Sequence, residues 1–221
     1  MIMSDFQKLF SAYLILTVLV VIKAQDSQQE SKNETSAIFD CVIYNLEYSF
    51  EFLYDSSDVV YFDHSKSVPY TFPITKVLNY DRIRWYLIPK LNDTRFEIFN
   101  IKSFKSGKYL CSADIFVDSF KTRRKIMLSK KHLGRRCEWR LISFKAKDFE
   151  NDDSIINYIY NVEYEEPLYA ASYFFKRDHL KRNIFLWHNK KEAKTSTKFN
   201  WMIDCKTSDK TESFKVNFKS K

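Results

Sequence analysis

The chain of 221 residues contains two glycines, Gly107 and Gly134, where average usage would give roughly fifteen. That shortage excludes two nucleotide-binding devices. A dinucleotide fingerprint needs three glycines within six positions, and a phosphate-cradling P-loop needs two plus a Gly-Lys-Ser/Thr ending. Catalytic signatures are lacking too. No H-E-x-x-H or G-x-S-x-G accompanies His64, His132, His179 or His188, and nothing assembles into a nucleophile, base and oxyanion donor. The acid pairs Asp152-Asp153 and Glu165-Glu166 read as solvated loop and turn residues. The sequence therefore predicts no enzyme, no cofactor and no metal site. Residues 12–22, AYLILTVLVVI, are too short to span a bilayer as a helix but match a signal-peptide core.

Cleavage is expected after Ala24, with an uncleaved membrane anchor as the competing reading; residues 25–39 then form a polar, flexible leader. Four cysteines, Cys41, Cys111, Cys137 and Cys205, are even in number and lack C-x-x-C spacing, so two disulfides are expected in an oxidising compartment. Asn33-Glu34-Thr35 and Asn92-Asp93-Thr94 are glycosylation sequons of the kind used on secreted backbone. Together these features predict an extracellular, secreted glycoprotein without membrane insertion.

Aromatic residues are abundant, with 20 Phe, 14 Tyr and 4 Trp. Short runs of Val, Ile, Tyr and Phe, punctuated by Asn, Asp, Ser and Lys, indicate strands, with no long helical period. These runs repeat. Ile43-Tyr44-Asn45-Leu46, Ile98-Phe99-Asn100-Ile101 and Ile159-Tyr160-Asn161-Val162 align, and each is followed at nearly constant distance by a tryptophan, Trp85, Trp139 or Trp201. Between these anchors lie Phe52-Leu53, Tyr109-Leu110 and Leu168-Tyr169, then residues 59–62, 126–128 and 184–187. Four strands in each of three units (residues 40–91, 92–150 and 151–205) predict an all-β fold of the β-trefoil type, a six-stranded barrel capped by three hairpins. Residues 206–221 are expected to be a basic tail. The three tryptophans read as core, and the three Asn as turn or backbone-satisfying residues.

Phe99-Asn100-Ile101 leading to Ser106-Gly107-Lys108-Tyr109-Leu110, with a late-strand Trp, resembles the ricin-type (ricin B-like) β-trefoil repeat. The chain is also similar to secreted cysteine- and tryptophan-containing β-trefoils of insect saliva. In a trefoil the first and last strands are neighbours. Of three possible connectivities, this topology favours Cys41 with Cys205 and Cys111 with Cys137.

The ricin-type resemblance implies lectin-like carbohydrate binding. Such sites use an Asp after the Ser-Gly-Lys-x-Leu segment, an aromatic platform closing the third strand, and a Gln-x-Trp. The Asp position holds approximately Tyr54, Cys111 and Ala170, with Asp55 one place off, and the Gln is replaced by Ile83, Cys137 and Phe199. The platform survives as Trp187, so a sugar site is expected around Trp187, His188, Asn189 and Tyr169; the competing reading of Trp187 is a partly buried hairpin residue.

Charge supplies a second candidate. The formal charge is +8, which falls on residues 92–150, where fifteen basic residues face seven acidic ones. Lys121, Arg123, Arg124 and Lys125 in one segment, and Lys130, Lys131, Arg135 and Arg136 in another, would attract a sulfated glycan if they shared one face; the alternative is a solvated basic face. Nucleic acid is not an expected partner, and a monomer is expected. The competing function is a protein-binding trefoil, either a protease inhibitor or a cytokine-like receptor ligand, using residues 65–81 as a long loop stiffened by two prolines.

Overall fold

The structure is a computed structural model. It describes residues 38–48, 51–57, 59–60, 66–90, 97–145, 155–175, 178–188 and 196–206, and the backbone of 213–215. The expected signal peptide, most of the leader and both sequon asparagines, Asn33 and Asn92, lie outside these. The first unit contributes β1 (Phe39–Asn45), β2 (Glu51–Tyr54), β3 (Lys66–Ser67), β4 (Tyr70–Pro73) and β5 (Arg84–Pro89). The second contributes β6 (Ile98–Ser103), β7 (Tyr109–Phe116), β8 (Arg123–Ser129) and β9 (Glu138–Lys145). The third contributes β10 (Ile155–Asn161), β11 (Leu168–Phe175), β12 (Asp178–Trp187) and β13 (Trp201–Lys206). A short β14 (Ser213–Lys215), within the expected tail, pairs with β13.

Strand pairing closes a ring. β1 pairs β5, β5 pairs β6, β6 pairs β9, β9 pairs β10, β10 pairs β13 and β13 returns to β1. Outside this barrel, β2–β4, β7–β8 and β11–β12 are hairpins. Their third strands meet one another, because β12 pairs both β4 and β8, and β8 pairs β3. A six-stranded closed barrel capped by three mutually paired hairpins is the expected β-trefoil. Closure leaves the barrel strands without a free edge.

Alternation sets the barrel faces. Along β1, Cys41, Ile43 and Asn45 are buried while Val42 and Tyr44 are half-buried, the period of two that a strand with one core face requires. Trp85, Trp139 and Trp201 are wholly buried in the shared core with Ile43, Ile101 and Ile159. The Cys41–Cys205 and Cys111–Cys137 disulfides are both present. Cys41 faces Cys205 directly across β1 and β13.

Two sequence expectations need correction. Across the barrel Trp201 faces Asn45 and Trp139 faces Asn161, but Trp85 faces Ser103 and not Asn100. The backbone agrees: the N–H after each of these residues, on Leu46, Phe104 and Val162, donates to the carbonyl of Asn200, Arg84 and Glu138 respectively. The true equivalents are therefore Asn45, Ser103 and Asn161, all fully buried. Asn100 is slipped by three residues, an odd number that turns its side chain outward, where it meets exposed His132 at 2.8 Å.

The second correction concerns the first unit. The strand that pairs with β2 is β4 at Tyr70–Pro73; of the expected segment 59–62, Val60 makes an isolated bridge to Ser67, and residues 61 and 62 lie outside the described residues. Residues 65–81, expected as a long loop, contain β3, β4 and a 3₁₀ turn at Ile74–Lys76, with a second at Tyr80–Arg82. Tyr70 is buried, so β4 belongs to the cap and does not project from it.

Candidate functional site

The sequence-predicted sugar residues fall at the barrel-side end of the β11–β12 hairpin. Tyr169 opposes Phe185, which makes Trp187 its diagonal neighbour on the same face. The Tyr169 and Trp187 rings lie 5.1 Å apart, centroid to centroid. Phe199, in the 3₁₀ turn Thr197–Phe199, completes the group at 5.1 Å from Tyr169 and 6.4 Å from Trp187. Phe199 is buried, while Tyr169 and Trp187 are half-exposed. The indole Nε1 of Trp187 is enclosed with no hydrogen-bond acceptor among the described residues. Asn189 lies outside the described residues.

His188 extends this corner with a polar pair. Its Nδ1 lies 2.7 Å from Glu166 Oε1, and its backbone N–H donates to Thr122 O at 2.8 Å. Glu166, expected to be solvated, is buried. Arg124 accounts for this burial by donating to both carboxylate oxygens, Nε to Oε2 at 2.9 Å and a second nitrogen to Oε1 at 3.3 Å. The guanidinium sits 3.7 Å from the Tyr164 ring centroid and 4.2 Å from that of Phe116. A planar cation held by a carboxylate fork between rings is a geometry specific to arginine.

The same device recurs one unit on. Arg182 donates to both oxygens of Glu51 at 2.8 and 3.0 Å and lies over the rings of Tyr48 and Phe174. At the third equivalent position Lys108 donates to Ser67 Oγ at 3.2 Å. Arg124 and Arg182 thus tie each third strand to the next unit, a structural duty that removes Arg124 from any surface patch.

The remaining basic residues are not on one face. Arg123 pairs with Asp118 at 3.2 Å and donates to the Tyr173 hydroxyl at 2.7 Å. Lys125 lies on the cap side, where burial lowers its pKa below the usual lysine value. Lys130, Lys131 and Arg135 are exposed beyond the opposite end of β8, roughly 20 Å away at strand rise. Arg135 pairs with Glu163 at 3.5 Å. Half-buried Arg136 offers its carbonyl to Asn161 at 3.0 Å and to Ser112 at 3.2 Å. Asp55, the acid nearest the ricin-type Asp position, is buried and accepts from Ser103 Oγ at 2.5 Å.

Known structures share this fold. Neither a family model nor a curated protein matches the sequence. The SDF2-like protein of Arabidopsis thaliana is 12% identical with a TM-score of 0.56, across 83% of this chain and 97% of that one. The S. cerevisiae protein O-mannosyltransferase Pmt1-Pmt2 complex, bound to its sugar donor, matches at 9% identity and a TM-score of 0.60, across 84% of this chain but 27% of that one. The Macrolepiota procera ricin B-like lectin, in complex with lactose, matches at 12% identity and a TM-score of 0.47, across 77% of this chain and 96% of that one. The first two likenesses show the fold alone and leave function to the chain's own residues.

The signal for Phe199 was present in the sequence, two places before Trp201. A phenylalanine replacing a hydrogen-bonding Gln marks a ring packed behind the platform. Glu166 was missed because an acid in a turn carries no sign of the arginine that buries it, 42 residues away.

Proposed function

We propose that the protein is an extracellular, non-catalytic β-trefoil that binds carbohydrate at the corner of Tyr169, Trp187 and His188. The observation that carries this reading is the half-exposed Tyr169–Trp187 ring pair beside the His188–Glu166 pair. An aromatic face packs against the C–H face of a sugar ring, and the exposed imidazole of His188, held through Nδ1 by buried Glu166, offers its other ring nitrogen to a hydroxyl. Phe199 fixes the two rings from behind, which reduces the ordering cost of binding. The two disulfides suit an oxidising compartment.

A glycan array tests this directly. The wild-type protein is expected to retain a restricted set of glycans, and Trp187→Ala to lose them at least tenfold while its unfolding midpoint confirms a folded protein. An array without wild-type hits, or hits untouched by Trp187→Ala, would overturn the reading.

A further inference from the structure

The aromatic corner has a charged neighbour on the adjoining hairpin. Trp187 on β12 opposes Arg123 on β8, and directly opposed residues share a sheet face, their side chains starting about 5 Å apart. Phe185, two residues before Trp187, lies on that face opposite Tyr169. The Arg123 guanidinium is held in place. Its Nε donates to Asp118 Oδ2 at 3.2 Å and its Nη1 to the Tyr173 hydroxyl at 2.7 Å, and it lies 5.6 and 5.9 Å from the ring centroids of Tyr173 and Phe185. Nη2 donates to none of the described residues, and 28% of the side chain is exposed. The His188 N–H, donating to Thr122 O at 2.8 Å, ties this hairpin tip to the corner.

Asp118 does not consume the arginine's charge. Its carboxylate also accepts from the N–H and hydroxyl of Thr122 and from the Arg123 N–H, and Lys121 is exposed at the same tip. Residues 118–123 thus set two bases against one acid.

We propose that the carbohydrate taken by this corner is an acidic one, its ring on Trp187 and its carboxylate at Arg123. The inference rests on the carbohydrate reading and narrows it. A ring seated on the indole directs its equatorial substituents past the indole edge, where a carboxylate meets the guanidinium of the neighbouring strand. A guanidinium already fixed by Asp118 and Tyr173 pairs with a carboxylate at little ordering cost. A neutral hydroxyl in that place gains no charge-assisted bond.

The test is an array of neutral oligosaccharides, each printed beside the counterpart whose terminal hexose is a uronate and beside the methyl ester of that uronate. Sialylated glycans, their methyl esters and their asialo parents complete the set, read at about 150 mM salt, where diffuse attraction is screened. At least one acidic glycan is expected to bind about tenfold tighter than its neutral partner, and its methyl ester to fall back to the neutral level. Trp187→Ala is expected to weaken both members of that pair. Arg123→Gln is expected to bring the acid-to-neutral ratio to about one. Equal binding of acid, ester and neutral glycan, or a ratio unmoved by Arg123→Gln, overturns the acidic ligand and leaves the carbohydrate reading standing. Retention of no glycan of either kind overturns both. Sulfated glycans bound as tightly as the carboxylates would overturn the carboxylate assignment. Arg123 also steadies the hairpin tip, so the ester comparison, which needs no variant, decides the matter where Arg123→Gln unfolds.

Discussion

Trp139 Nε1 donates a 2.8 Å hydrogen bond to the carbonyl of Leu110, the residue that begins the buried part of the second hairpin. Trp85 makes the same bond to Leu53 at 2.9 Å and Trp201 to Leu168 at 3.1 Å. Each tryptophan therefore fastens a hairpin of the cap to the barrel while filling the core. Trp139→Phe is expected to cost about 1–3 kcal/mol, since it leaves the Leu110 carbonyl buried and unpaired. Trp139→Ala, which also opens a cavity, is expected to cost about 3–5 kcal/mol. Urea unfolding of the two variants separates the hydrogen bond from the packing.

The corrected register predicts unequal effects at asparagines that look alike in the sequence. Asn161 donates to the carbonyls of Arg136 and Glu138 and accepts from Ser112 Oγ, so Asn161→Ala leaves several buried groups unpaired and is expected to cost at least about 2 kcal/mol. Asn100→Ala, at a half-exposed position, is expected to change stability by no more than about 0.5 kcal/mol. Equal losses would favour the sequence alignment over the register described here.

Why the fold was legible and the register was not follows from what a strand displays. The tryptophans and the hairpin Leu53, Leu110 and Leu168 sit at fixed, fully buried points, so their residue types are constrained and visible. Ile98-Phe99-Asn100-Ile101 mimics the strand-end motif, but strand faces are assigned by alternation, and Phe99 and Ile101 are the buried pair. Ser103 fills the Asn role by bonding Asp55, an exchange that only the three-dimensional partner explains. The site was legible where one hairpin supplies its residues, as with Tyr169 and Trp187. It was not legible where distant segments meet, as Arg124 does with Glu166 and Arg182 with Glu51.

Ser106-Gly107-Lys108 and Tyr164-Glu165-Glu166 are the same turn. Gly107 and Glu165 both have positive φ, 65° and 51°, and their N–H groups donate to Ser103 O at 3.0 Å and Asn161 O at 2.8 Å. The left-handed conformation is costly for a residue with a Cβ. Glu165→Gly is therefore expected to stabilise by up to about 1 kcal/mol, and Gly107→Ala to destabilise by about 1 kcal/mol. A Cβ at Gly107 would meet Lys102 Cε at 3.9 Å, an ordinary contact, so the loss would come from backbone conformation alone. Thermal unfolding of both variants checks the sign of each.

Arg124 and Glu166 offer a test of whether the buried links between units are needed as charges or as packing. Arg124→Met strands the Glu166 carboxylate in the interior and is expected to cost about 3–5 kcal/mol. Replacing both, as Arg124→Met with Glu166→Met, removes the stranded charge and is expected to recover most of that loss. A double variant as unstable as the single would show that stacking of the guanidinium between Phe116 and Tyr164 matters more than the ion pair.

Acid sensitivity is expected at the β7–β8 hairpin through Asp118. Burial alone would raise its carboxyl pKa, but that effect is outweighed by donors on the next residues. The N–H and hydroxyl of Thr122 and the N–H and Nε of Arg123 all reach the carboxylate within 3.2 Å, and the folded pKa is held below the ordinary aspartate value. A carboxyl whose pKa is lower in the folded than in the unfolded chain stabilises fully above the unfolded value of about 4, and that stabilisation is lost as pH falls through the folded value. Asp118→Asn cannot ionise. The stability difference between wild type and Asp118→Asn is therefore expected to be largest at pH 6 and to shrink at pH 2.5, other carboxylates cancelling because both proteins carry them. Urea unfolding at the two pH values measures this difference. A constant gap would mean that Asp118 acts through its shape and hydrogen bonds alone, without linkage to its charge.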